Sequence, residues 1–252
     1  MAPRSGVKQR ADIPPEILQQ LNAGILESAT LAEGLAVNFV TLMTSVVPEI
    51  SQGSLQRLQQ EPSITKRMKL AGEILFESGG VAGVEQLQLH PSDTVRAWGA
   101  YVLAQDSDLS LPERLALIRP FADDAHFGVR EWAWMATRPW LVQDLETGIP
   151  ILSRWTGSDS AHLRRFAVEI TRPRGVWCSH IQTLKDKPAL GMSLLEPLKQ
   201  DPSRYVQDSV ANWLNDAGKS QPQFVRDLCN RWQHESQSKA TAYICKRALR
   251  RL

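Results

Sequence analysis

Val129-Arg130-Glu131-Trp132-Ala133-Trp134-Met135-Ala136-Thr137-Arg138-Pro139 and Leu163-Arg164-Arg165-Phe166-Ala167-Val168-Glu169-Ile170-Thr171-Arg172-Pro173 are two copies of one segment, 34 residues apart. An aliphatic-Arg entry, an aromatic two residues after the Arg, an Ala and a closing Thr-Arg-Pro stay in register. The opening recurs one step earlier as Val95-Arg96-Ala97-Trp98-Gly99-Ala100-Tyr101. A fixed period of this size marks stacked helix pairs, each too small to bury its apolar face alone. The expected fold is therefore an all-α solenoid.

Outward from these copies, helix is expected to follow helix with no strand. Residues 1–12 read as a flexible N-terminal tail, and 13–252 as a single repeat domain. Pro14 and Pro15 suit a first helical turn, with Ile17, Leu18, Leu21 and Ile25 at helical spacing. A second helix is expected over 30–47, ending before Pro48. Ser63 is placed to cap a third, which Gly79-Gly80 stops. Ser92 or Asp93 caps the first clear repeat. Polar leads at 123–126, 157–160 and 201–204 open the later ones. From Arg164 to Gln207 the step lengthens to 43 residues, which predicts an enlarged loop on one face.

Composition narrows the function. The chain is 252 residues long and 42% hydrophobic, enough for one continuous core, and its start is basic without a secretory apolar segment. No apolar run reaches the ~18 residues of a membrane span, so none is expected, and a cytoplasmic location is the expectation. Cys178, Cys229 and Cys245 lack metal spacing and read as thiols in a reducing compartment. The five His are dispersed and read as surface or capping groups; no metal and no cofactor is expected. Gly-rich phosphate loops, His-Glu-x-x-His and Gly-x-Ser-x-Gly are all missing.

The net charge of +2 conceals an asymmetry. Residues 1–125 hold 10 Lys/Arg against 15 Asp/Glu, whereas 126–252 hold 19 against 12. The basic half suggests an anionic partner, against the alternative of a solvated helical face. Seven of the eight Trp also lie there, and aromatics mixed with Arg suit stacking on bases and gripping phosphates. Two carboxylates break the apolar pattern of their helices. Glu169 stands between Val168 and Ile170, where the neighbouring copy has Met135. Asp216 follows Val210-Ala211-Asn212-Trp213-Leu214-Asn215. Such breaks mark functional candidates; equally, Glu169 can pair with Arg165 or Arg172, and Asp216 with Lys219, as structural ion pairs.

The run 163–174 with Trp177, the segment Asp201-Pro202-Ser203-Arg204-Tyr205-Val206-Gln207-Asp208-Ser209-Val210-Ala211-Asn212-Trp213-Leu214-Asn215-Asp216 and the ending Thr241-Ala242-Tyr243-Ile244-Cys245-Lys246-Arg247-Ala248-Leu249-Arg250 resemble the HEAT-like-repeat alkylpurine DNA glycosylases of the AlkC and AlkD type, closer to AlkC. The resemblance covers about residues 90–252. It implies a right-handed α-α superhelix of HEAT-like pairs that holds alkylated duplex DNA in a basic concave groove; nothing in the sequence demands more than a monomer. It further implies removal of cationic N-alkylated purines such as 3-methyladenine or 7-methylguanine. Alkylation places positive charge on the base and weakens the N-glycosidic bond, and a fixed carboxylate then stabilises the oxocarbenium-like sugar and positions water. On this likeness Glu169 and Asp216 are the acids, and Trp134 and Trp177 line the base pocket. Arg130, Arg164, Arg165, Arg172, Arg174, Lys246 and Arg247 are the DNA contacts. In one respect the sequence departs: Trp134 stands where an AlkC-like Glu-Phe-Ala-Ile-Arg-Pro stretch has an acid, with Glu131 one turn earlier. With the sequence ending at Leu252, no room is expected for the immunoglobulin-like appendix of some AlkC relatives, and Arg250 and Arg251 are expected to help the helices grip. Two alternatives stand beside this reading: a non-catalytic binder of damaged or branched DNA, and a scaffold for a protein partner.

Overall fold

The computed structural model describes residues 4–252. Among them there are helices and no strands. The chain divides into two compact units, 1–137 and 138–252, with the division falling inside one helix.

The first unit holds α1 (Pro15–Asn22), α2 (Leu31–Gly34), α3 (Phe39–Val46), α4 (Gln52–Gln60), α5 (Ile64–Gly79), α6 (Val84–Gln88), α7 (Asp93–Gln105), α8 (Leu111–Ala122) and the start of α9 (Phe127–Gln143). α5 lies against α7 so closely that a Cβ on Gly72 would fall onto Tyr101. Two sequence expectations change here. The helix expected over 30–47 is two, because the Asn38 side chain accepts from the amides of Val40 and Thr41 and starts α3 afresh. Ile25 is not helical: α1 ends at Asn22, the chain turns at Gly24 (φ +76°), and Ile25 is exposed. Of the tail expected over 1–12, residues 1–3 lie outside the described residues. Residues 4–12 differ from a loose tail, because the buried Glu33 carboxylate holds Arg4 (2.5 Å) and the Val7 amide, while Thr30 donates to the Val7 carbonyl. The Ser63 and Ser92 side chains accept from no amide of the helices they precede; Asp93 instead accepts from the amide and hydroxyl of Ser28.

The second unit runs from Arg138 through α10 (Leu145–Trp155), α11 (Ala161–Glu169), α12 (Gln182–Asp186), α13 (Met192–Leu195), α14 (Arg204–Gly218), α15 (Pro222–Glu235) and α16 (Lys239–Ala248). α14 packs against both α11 and α16. Its fully buried Trp213 sits in the core with Val168, Leu195, Trp232 and Ile244. Burying each such side chain contributes about 1.5–3 kcal/mol.

The repeat signature has a mechanical origin. Arg96 Nη1 donates to the carbonyls of His90 and Pro91, Arg130 Nη1 to those of Asp124 and Ala125, and Arg164 Nη1 to those of Ser158 and Asp159. Each Arg reaches five and six residues back and satisfies carbonyls of the polar lead that helix bonding leaves open. Gln207 does the same to the Asp201 carbonyl (2.7 Å). The stacking direction is tied as well: Arg96 Nε reaches Asp124 (2.9 Å) and Arg164 Nε reaches Asp201 (2.6 Å), each an acid in the following lead. His90 and His126 cap their leads through Nδ1, accepting from the amides of Ser92 and Gly128.

Thr171-Arg172-Pro173 repeats Thr137-Arg138-Pro139 in letters but not in path. Thr137 and Thr171 both bond the carbonyl four residues back. Yet α9 continues through Pro139, whereas α11 ends at Glu169 and the chain enters a loop over 170–181. The Ile181 amide closes that loop on the Pro173 carbonyl (3.0 Å). Here lies the enlarged loop that the lengthened repeat step announced.

Candidate active site in the C-terminal unit

Glu169 ends α11 and Asp216 lies in the last turn of α14, and the packing of these helices brings both acids to one guanidinium. Arg172 Nη1 is 3.2 Å from Glu169 Oε2, while Arg172 Nε and Nη2 donate to Asp216 Oδ2 at 2.9 and 2.7 Å. Glu169 is 3% exposed and Asp216 4%, so neither carboxylate is an ordinary surface acid. The remaining oxygens are occupied: Ser209 donates to Glu169 Oε1 (2.9 Å), with Arg165 at 3.6 Å, and Lys219 reaches Asp216 Oδ1 (3.1 Å). Each ion pair anticipated for these acids thus forms. The link across helices through Arg172 was not anticipated, and neither was Ser209. Burial works against the Arg172 charge, but Glu169 and Asp216 outweigh it and hold the guanidinium above its ordinary range.

Helical spacing sets the surroundings. Tyr205, Ser209, Asn212 and Asp216 follow one another at steps of four, three and four on α14, a single stripe. On the same stripe Arg165 stacks over Tyr205, 4.4 Å from its centroid. One helix further, Arg204 lies 3.5 Å above Tyr243, and Arg247 bonds the Tyr243 hydroxyl and pairs with Asp208 (3.0 Å). Lys246 is exposed on α16. The face of α11, α14 and α16 is accordingly polar, basic and aromatic.

The loop 170–181 is anchored by Arg138, a residue that the sequence pattern alone does not single out. Its guanidinium is 2% exposed as a residue and donates to the carbonyls of Ile170 (2.6 Å), Arg172 (2.6 Å) and Ser179 (3.1 Å). Burial pulls the Arg138 pKa down. Gly175 lets the loop close over it, since a Cβ there would strike Cys178 and come within 3.3 Å of Arg138. Burial also raises the Cys178 thiol, which disfavours a thiolate there. Arg174 fastens the loop to Ser220 (2.7 Å). At its tip Trp177 is 55% exposed, alone among the tryptophans, and its φ is +60°. A bulky residue in the left-handed region costs about 1–2 kcal/mol, and such strain clusters at functional sites.

The remaining candidates separate from this cluster. Arg164 and Arg130 are internal staples, as described above, and neither touches the pair of acids. Trp134 is 3% exposed, in the first unit, with its indole donating to Glu131 (2.9 Å). Among the described residues no helix is long and apolar enough to cross a membrane.

The chain is similar to known proteins in sequence and in fold. Residues 129–252 match the family model described as DNA alkylation repair enzyme. The fold matches the alkylpurine DNA glycosylase AlkC of Pseudomonas fluorescens, solved bound to DNA containing an abasic site analog, with TM-score 0.67 and 25% identity over 97% of this chain. It also matches AlkD2 of Streptococcus mutans, with TM-score 0.63 and 21% identity over 80% of this chain and 98% of that one. The uncharacterized protein YhaZ of Bacillus subtilis is 40% identical over 117 residues, 46% of this chain. The chain spans 65% of the AlkC chain, and its match to YhaZ spans about a third of that protein. The HEAT-like helical solenoid is thus the fold of the chain. Residues 129–252, the span that carries the acids, Arg172 and the loop with Trp177, are the part of the chain that matches the DNA alkylation repair enzyme model.

Proposed function

We propose that this protein is a DNA glycosylase that hydrolyses the N-glycosidic bond of cationic N-alkylated purines in duplex DNA. The observation that carries the reading is the convergence of two almost fully buried carboxylates, Glu169 and Asp216, on a single cation in the part of the chain that matches this family. A pair of fixed acids around a cation is what departure of an alkylated base requires. As the bond to the base lengthens, the deoxyribose gains positive charge, and Glu169 stabilises it electrostatically. The same carboxylate, held by Ser209, orients the attacking water, and Asp216 supports the cationic face. Trp177 offers an exposed ring against a cationic base, while Arg165, Arg172, Arg174, Lys246 and Arg247 supply positive charge for the phosphates.

Single-turnover release of free 3-methyladenine or 7-methylguanine from methylated duplex DNA tests the reading. Release by the parent is expected; a protein that binds the duplex and releases no base is not a glycosylase. A second reading, a DNA-binding relative without excision, has one observation in its favour: Trp134 is buried where the AlkC-like stretch has an acid. It predicts that second outcome.

A further inference from the structure

The cation that joins Glu169 to Asp216 in this structure belongs to the protein itself. Arg172, a planar delocalised cation with a side chain 13% exposed, occupies the space between the two carboxylates that a cationic nucleotide would have to enter. With Arg165 and Lys219, three cations stand within ion-pair distance of two acids, a formal excess of one positive charge. In this arrangement the acids attract no further cation. We propose that Arg172 is a charge gate, an internal stand-in for the cationic substrate, which leaves the acids only when a DNA phosphate takes over its guanidinium, and that it thereby restricts the site to duplex DNA over free nucleosides.

The chemistry of guanidinium recognition supports the exchange. A phosphate accepts the same forked, charge-assisted hydrogen bonds as a carboxylate, so the guanidinium finds an equivalent partner on DNA, while the cationic nucleotide replaces it between the buried acids and spares them the cost of standing unpaired. Its backbone is placed for this, at the base of the loop over 170–181, two residues from Arg174 and five from the exposed Trp177. What stays fixed is the carbonyl of Arg172, gripped by Arg138 at 2.6 Å, so the side chain can swing while the loop holds. A free cationic nucleoside brings the competing charge without a phosphate and leaves the gate shut; a duplex brings both.

This inference rests on the glycosylase reading for its substrate but is tested without catalysis. The probe is 7-methylguanosine, cationic below neutral pH, titrated calorimetrically into the parent and into Arg172→Met and Arg172→Lys. Arg172→Met is expected to bind it at least ~10-fold tighter than the parent, because removing one positive charge beside the buried acids restores their attraction for a cation. Arg172→Lys, which keeps the charge, is expected to bind like the parent. Equal affinity of the parent and a folded Arg172→Met overturns the gate. Should Arg172→Met fail to fold, the guanidinium NMR signals of Arg172 in the parent decide: they are expected to shift when unmodified duplex is added, and unchanged signals in a bound complex overturn the proposal. Base release from methylated duplex by the parent is scored separately, so loss of the glycosylase reading and loss of the gate appear in different assays.

Discussion

Replacing Arg164 with Ala separates the two roles that its sequence position suggested. In the structure its guanidinium makes a forked pair with Asp201, at 2.6 and 3.1 Å, and donates to the Ser158 and Asp159 carbonyls at 2.8 and 2.9 Å. The two side chains are 12% and 2% exposed, so truncation leaves the Asp201 carboxylate buried with its Arg partner gone. Breaking a buried pair from one side costs about 3–5 kcal/mol. In a chain of this size each kcal/mol lowers Tm by about 2–4 °C, which sets the expected fall at about 6–20 °C. Thermal unfolding by circular dichroism measures it, with duplex affinity followed across a salt series well below the lowered Tm. A phosphate contact behaves in the opposite way: it leaves Tm alone and reduces the salt slope by about one. A variant with unchanged Tm and a shallower salt slope refutes the structural role of Arg164 and returns it to the DNA face.

Other outcomes follow from the same geometry. Glu169→Gln keeps a group able to accept from Ser209 but removes the charge; at ~4 Å from a developing cation that charge is worth about 4 kcal/mol, so single-turnover base release should fall ~10³-fold. Retention of activity within ~3-fold would take Glu169 out of the chemistry, and Asp216→Asn is judged by the same assay. At Trp177 the left-handed backbone inverts the usual order of small residues, so Trp177→Gly should exceed Trp177→Ala in stability by about 1 kcal/mol in urea unfolding; the reverse order contradicts the strain. In the second unit, burial acts to raise the Glu196 pKa, but hydrogen bonds from Arg231, Lys199 and Trp232 override it and lower the value from 4.5 to about 2. A depressed carboxylate stabilises above its unfolded pKa and loses that contribution as pH falls. Glu196→Gln should therefore narrow the drop in Tm between pH 4.5 and about 2, and an unaltered acid profile counts against the cluster.

Much of the architecture was readable along the chain because it is local and repeated. The 34-residue step, the polar leads and the apolar helices after them recur in the structure as α7, α9 and α11 with their preceding turns. Where local signals competed, the reading failed: Asn38 restarts a helix inside a continuous apolar pattern, and Arg4 pins what composition marked as a tail. The acids at 169 and 216 were visible as charges in apolar helices, because a broken period is a property of the sequence. Their use was not visible.

Sequence alone determined the repeat class, the basic second half and the pair of misplaced carboxylates. Periodicity and charge are sums over neighbours along the chain, and no packing is needed to see them. Only the tertiary structure decided which arginines face inward. Arg164 and Arg172 carry the same charge eight residues apart, yet one ties a lead to Asp201 and the other spans Glu169 and Asp216. Likewise Arg138 and Arg172 share a Thr-Arg-Pro motif, and only the path of the chain after it sends one to backbone carbonyls and the other to carboxylates. The partner of a guanidinium is set by what the next helix brings within ~3 Å. For Arg172 that helix is α14, 44 residues further along the chain, and its register against α11 exists only in the fold.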